Sequence, residues 1–157
     1  MKNRLKGTTL IETVLYVAIL TAILFVMVNF VLTTKEATLR TERRADILSN
    51  AEFLTQHLDY TFSKVTGIDE TKSLFNEDNG VLYINFGSQE HYYSLSNNKL
   101  TYDGTDLNGD NILINHFYIT PVYNKKNNIV GVRIALEIAA EKDQKVKKGI
   151  ITLYTIR

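Results

Sequence analysis

The segment TTLIETVLYVAILTAILFVMVNFVLTT, Thr8–Thr34, decides how this chain is organised. From Thr13 to Thr34 it runs for 22 residues without a charge, a glycine or a proline. A helix of that length measures about 33 Å, against about 30 Å for the hydrocarbon core of a bilayer. Asn29 is its one strongly polar residue, near the far end where headgroups would lie. Cores of soluble domains rarely use so long an uncharged line. A cleaved secretory signal has an apolar stretch of roughly 7–15 residues and a small-x-small cleavage site. This run is too long, and FVLTTKEAT offers no good site. The segment therefore reads as a single membrane-spanning helix. One residue breaks the pattern: Glu12 stands at its head. An ionisable group at bilayer depth costs about 2.5–3.5 kcal/mol on insertion scales, so such a group is paired, hidden or useful.

On the N-terminal side, Lys2, Arg4 and Lys6 carry three positive charges with no acid before Gly7. The whole chain of 157 residues has a formal charge of +1. Overall charge thus gives no reason to expect a nucleic-acid or acidic partner. No cysteine is present, which excludes disulfides and cysteine-based metal or redox chemistry. Lys35, Arg40, Arg43 and Arg44 flank the other end of the apolar run, interleaved with Glu36, Glu42 and Asp46. Charge counting alone does not choose an orientation across the membrane.

A basic leader ending in Gly7, followed by Thr8-Thr9-Leu10-Ile11-Glu12 and then an apolar run, resembles the type IV prepilin N-terminus. Type IV pilins and the pseudopilins of secretion and competence machines share it. The close match covers about 30 residues. The resemblance implies that a prepilin peptidase cuts after Gly7 on the cytoplasmic face. It also implies that Thr8 becomes the first mature residue and is usually methylated. The family most often has phenylalanine there, so Thr8 is a departure that bears on methylation more than on cleavage. Glu12 then falls at mature position five, where the family pairs a glutamate with the amino terminus of a neighbouring subunit. A buried charge that must find its partner fixes register. The bland alternative is an interfacial acid favoured by the helix dipole. The resemblance also implies an orientation with the leader inside and the C-terminal domain outside.

Beyond Thr34 the helical period continues. Ile47, Ala51, Leu54, Leu58, Phe62 and Val65 are spaced four, three, four, four and three, which is one apolar face. Glu36 with Arg40, and Arg43 with Asp46, have the spacing of helix ion pairs. Gly67 is the expected stop, giving a helix from Thr8 to about Thr66. The stripe reads as the spine of a globular domain rather than half of a coiled coil. Downstream, VLYINF (81–86), HYYSL (91–95), KLTY (99–102) and NILINHFYI (111–119) are rich in strand formers. Ser96-Asn97-Asn98 is a hairpin signal, and IVGVRIALEI alternates with Val130, Val132, Ile134, Leu136 and Ile138 on one face. IITLYTIR closes the chain, after a loop holding Lys142, Lys145, Lys147 and Lys148.

The expected fold is α+β, with one long N-terminal helix packed on an antiparallel sheet of about four to six strands. The expected organisation is leader 1–7, membrane and filament-core helix 8–34, amphipathic continuation 35–66 and sheet domain 67–157. A long helix on an antiparallel sheet is also what the pilin resemblance implies. The order of the downstream segments resembles J-type minor pseudopilins.

Candidate chemistry is sparse. The loop DGTDLNGDN, Asp103–Asn111, gathers Asp103, Asp106, Asn108 and Asp110, oxygen ligands of a kind calcium takes. Gly109 stands at position four of an EF-hand-like count rather than six, and no glutamate follows at twelve. The expectation is a turn-forming loop and no cofactor, with calcium the alternative. His57, His91 and His116 are isolated in sequence, and no nucleophile or phosphate-binding motif occurs. The nine tyrosines suit a sheet better than a ligand-stacking platform.

The residues and the resemblance together imply a structural minor pilin or pseudopilin, not an enzyme. Its site residues are Gly7 and Thr8 for processing and Glu12 for assembly. Its partners would be other pilin or pseudopilin subunits, the prepilin peptidase and an inner-membrane assembly platform. Nucleic acid would enter only through the function of the filament. Its place would be the bacterial cytoplasmic membrane, single-pass with the N-terminus cytoplasmic, and then the filament. The alternatives are a membrane-anchored extracytoplasmic binding protein, whose helix is a tether, and a secreted protein that loses the whole apolar run.

Overall fold

The structure is a computed structural model describing residues 9–156. Among the described residues one helix is followed by eight strands. The helix α1 spans Leu10–Phe62. The strands are β1 (Gly67–Ile68), β2 (Val81–Phe86), β3 (Gln89–Ser96), β4 (Lys99–Tyr102), β5 (Thr105–Asp106), β6 (Ile112–Tyr123), β7 (Ile129–Ala140) and β8 (Asp143–Thr155). The fold is α+β, as expected. By its contacts the chain divides into two units at Thr41/Glu42.

The first unit is the leading part of α1. Thr9 begins it, its carbonyl accepting from the backbone N–H groups of Glu12 and Thr13. Threonine hydroxyls along the helix donate back to carbonyls four residues earlier: Thr21 to Val17, Thr33 to Asn29 and Thr34 to Phe30, at 2.8–2.9 Å. These side chains therefore expose no unpaired donor to an apolar surrounding, where one would be costly.

The second unit is built on the rest of α1. All six residues of the apolar stripe are buried, from Leu54 and Leu58 at 1 % exposure to Phe62 at 6 %. They join one core with Leu82 and Ile84 of β2, Tyr93 of β3, Leu100 of β4, and inward residues of β6 and β7. The helix stops at Phe62, four residues before Thr66. Ser63 turns its hydroxyl to the carbonyl of Tyr60, and Lys64 and Val65 close tight turns on Thr61 and Phe62. Thr66 then bonds Asn85, and Gly67 pairs with that same residue as the first position of β1. Gly67 is thus a strand residue and not the helix stop.

The expected single sheet is two. One has the order β1-β2-β3-β4-β5 and the other β6-β7-β8, all neighbours antiparallel. A parallel bridge between Asn79 and Phe117 joins them, with Phe117 donating to Asp78 and Gly80 donating to Phe117. Asn97 and Asn98, at φ of 51° and 60°, make the two-residue turn between β3 and β4. That is the twist a tight hairpin requires, and asparagine tolerates it.

The lysine-rich stretch is not a loop. The turn is confined to Glu141 and Lys142, and β8 begins at Asp143. Lys147 and Lys148 pair in register with Ala139 and Ile138. An irregularity at residues 144–146 separates that register from the Asp143–Ala140 pair. Lysines are compatible with this strand because it is at an edge, where side chains and one backbone edge meet solvent.

Candidate functional site

Glu12 lies in the first turn of α1, partly covered, and its Oε1 accepts a hydrogen bond of 3.2 Å from the hydroxyl of Tyr16, one turn on. A carboxylate at this end of a helix is favoured by the exposed N–H groups there. No cation pairs with it among the described residues. Behind it the surface is apolar all round. An 18-residue window of α1 has a mean hydropathy of 2.6, with none of it buried. Leu10, Ile11, Phe25 and Phe30 are each more than 70 % exposed. A helix apolar on every side is stable only when lipid or other helices surround it. By length and composition α1 is able to cross a membrane once. Gly7 and Thr8 lie outside the described residues, as does the rest of the 1–7 leader.

The oxygen-rich loop does not converge on one point. Asp103 sits with Gly104 in the turn between β4 and β5, both at positive φ. Its carboxylate takes the Nδ1 of His91 at 2.6 Å and the backbone N–H of Tyr92 at 2.9 Å. Asp106 is exposed in β5. Asn108 is buried and works inward: its Oδ1 accepts from Leu100, and its Nδ2 donates to the carbonyls of Ile112 and Asn98. Asp110 reaches only toward Lys99, at 3.4 Å. Among the described residues no three histidine, aspartate or glutamate side chains form a group able to hold a metal.

The histidines are also apart. His57 lies where α1 meets the sheet, its Nδ1 3.0 Å from the hydroxyl of Tyr93 and its ring edge-on to Tyr102. Burial holds its pKa below the usual value. His91 stacks on Tyr102 beside Asp103, and His116 is 3.3 Å from Asp78. The Tyr93 hydroxyl donates to Thr61, and burial pushes its own pKa up. Tyr154 stacks on Phe62 with ring centroids 4.2 Å apart, and its hydroxyl donates to Asp59 at 2.8 Å. Burial raises the Tyr154 pKa, and the bond to Asp59 adds to the effect. The contacts of His57, Asp59 and Thr61 fasten α1 to the sheets.

Sequence spacing does not find them, because their partners lie 32–95 residues away. Arg43 likewise pairs with Asp143 at 3.2 Å, not with Asp46. Glu36 and Arg40 make no ion pair among the described residues. Comparison with family models, with curated proteins and with solved structures gives no match to this chain.

Proposed function

We propose that this chain is a structural subunit, not an enzyme, of a filament of the type IV pilus, secretion pseudopilus or competence pseudopilus kind, in a minor role. It is made as a precursor, cut after Gly7 by a prepilin peptidase, and held in the bacterial cytoplasmic membrane by α1 with its N-terminus inside. Other subunits and the assembly platform then draw it into the filament. One observation carries this reading. Glu12, the only charged residue between Lys6 and Lys35, sits in the first turn of a 53-residue helix whose leading half is apolar on every side. Bundling such helices buries their apolar surface. It also forces the carboxylate to find a positive partner, for which the new amino terminus at Thr8 of a neighbour is the right charge. Removing one partner of a buried pair costs about 3–5 kcal/mol, enough to reject a subunit out of register. The prepilin-like residues from Lys6 to Glu12 support the reading from sequence.

Mass spectrometry of the N-terminal peptide from native membranes tests it. The expected mature chain begins at Thr8. A chain that keeps Lys2 to Gly7, in cells with an active prepilin peptidase, would replace the filament subunit with a tethered domain. Glu12→Ala is expected to be cleaved normally but to be lost from sheared filaments. Incorporation at the level of the native chain would refute the register role.

A further inference from the structure

We infer that the free edge of β8, with the groove between β8 and α1, receives an extended acidic segment of a partner protein, added to the three-stranded sheet as a fourth strand. The edges of the described sheets are not alike. β1 and β5, which end the five-stranded sheet, are two residues each. β6 is tied by backbone bonds to Asp78, Gly80 and Asn98. β8 is 13 residues long and pairs with β7 alone. Proteins blunt open edges with short strands, bulges, lysine or proline. The first half of β8 has such guards, in the irregularity at 144–146 and in Lys147 and Lys148. The second half, Gly149–Thr155, has none, and presents Ile151 at 64 % and Leu153 at 60 % exposure.

Beside this edge three hollows follow one another along the seam with α1. Their volumes are about 320, 580 and 380 Å³. Their walls pass from Ile47 and Val146, through Leu48 and Ile150, to Phe62 and Tyr154. A strand laid on β8 would send alternate side chains into this seam and the others out beside Ile151 and Leu153.

Charge chooses the occupant. Arg44, Lys145 and Lys148 line the first hollow, and none has an acidic partner among the described residues. Lys147 beside them is paired with Glu137. A second copy of this chain is a poor occupant: residues 144–156 hold three lysines and no acid. Pairing two copies through that stretch brings no carboxylate to any lysine. A partner strand with carboxylates opposite the lysines and aliphatic residues opposite Ile150–Leu153 satisfies both halves. This surface requires neither leader cleavage nor filament assembly.

The test uses the full chain in detergent micelles and a fluorescein-labelled decapeptide with glutamates in one half and valines in the other, read by anisotropy. The expected result is binding of this peptide and not of its lysine–valine counterpart. The double variant Lys145→Glu/Lys148→Glu should weaken binding about ten-fold or more. Two further peptides, N-methylated on alternate residues in the two possible phases, separate strand addition from simple charge attraction. One phase should lose binding and the other keep it. The chain has no native cysteine, so a dye on Leu153→Cys should report the contact. Absence of binding up to about 1 mM would overturn the assignment. So would equal binding of both methylated peptides, or a dimer of the native chain abolished by Leu153→Glu, which would make a second copy the occupant.

Discussion

Tyr93 is fully buried, and its hydroxyl sits between Thr61 at 2.9 Å and the Nδ1 of His57 at 3.0 Å, both on α1. Tyr93→Phe keeps the ring and strands two polar groups. Leaving a buried donor or acceptor unpaired costs about 1–3 kcal/mol, so the thermal midpoint of the domain should fall while its fold persists. A midpoint equal to that of the native chain would mean that the hydroxyl network contributes nothing. The neighbouring His57 makes stability depend on pH. Burial holds its folded pKa below 6.5, so the unfolded chain takes the proton first. Its contribution is complete above pH 6.5 and is lost as the pH falls below that value, levelling off beneath the folded pKa. Asp69 and Glu137 behave differently. Hydrogen bonds, chiefly from Thr71 and Asn115 respectively, hold their carboxyls low, and their contributions fade only below about pH 4. Melting curves between about pH 7.5 and 5.5 therefore isolate the histidines. The native midpoint should drop across that interval more than that of His57→Gln, and parallel curves would exclude His57 as the cause.

At the scale of single elements, β7 and β8 meet closely where Gly131 pairs with Thr155. A Cβ on Gly131 would collide with the carbonyl oxygen of Tyr154, which is backbone and cannot swing away. Gly149, on β8, has nothing nearer than the carbonyl of Leu136 at 4.0 Å. Gly131→Ala should cost about 3 kcal/mol in denaturant unfolding. Gly149→Ala should be neutral or stabilise by about 0.5 kcal/mol through the unfolded chain. Similar midpoints for the two variants would contradict the packing described. The contrast also marks what is legible in the sequence. The stripe from Ile47 to Val65 and the alternation from Val130 to Ile138 are readable because burial on one face forces a period. β1 and β5, with two residues each, have no period to read. The lysines of β8 read as a loop because charge usually signals solvent, yet an edge strand supplies solvent while remaining in register. Gly67 reads as a helix stop because glycine suits one, whereas the hydroxyl of Ser63 and the pull of Asn85 end the helix sooner. In the candidate site, the place of Glu12 at the head of the helix is legible, and the long-range partners of Arg43, Asp59 and Thr61 are not.

On the scale of the whole molecule, the apolar surface and the apolar core belong to different stretches of one helix. Every strongly exposed residue of the leading apolar run lies between Leu10 and Leu32, whereas the first buried core residue is Ile47. The division at Thr41/Glu42 falls between them. A fragment of residues 42–157 keeps Ile47 and Ala51, the Arg43–Asp143 ion pair and the bond from Gly109 to Asn50. It discards the surface that requires lipid or neighbouring helices. This fragment should be soluble without detergent and unfold in one cooperative transition. A fragment of residues 53–157 loses Ile47 and Ala51, the roof over Val146 and the anchor of Gly109. Deleting a single buried aliphatic side chain already costs about 2–5 kcal/mol, out of a total stability of about 5–15 kcal/mol for a domain. The shorter fragment should therefore lose its cooperative transition and expose core to hydrophobic dyes. Circular dichroism melts of the two, side by side, decide the matter. If the shorter fragment melts as sharply and at the same temperature as the longer, the turns of α1 from Glu42 to Glu52 are not part of the domain's core. If the longer fragment itself requires detergent, the apolar surface extends beyond Leu32 and the helix cannot be divided into a membrane part and a spine.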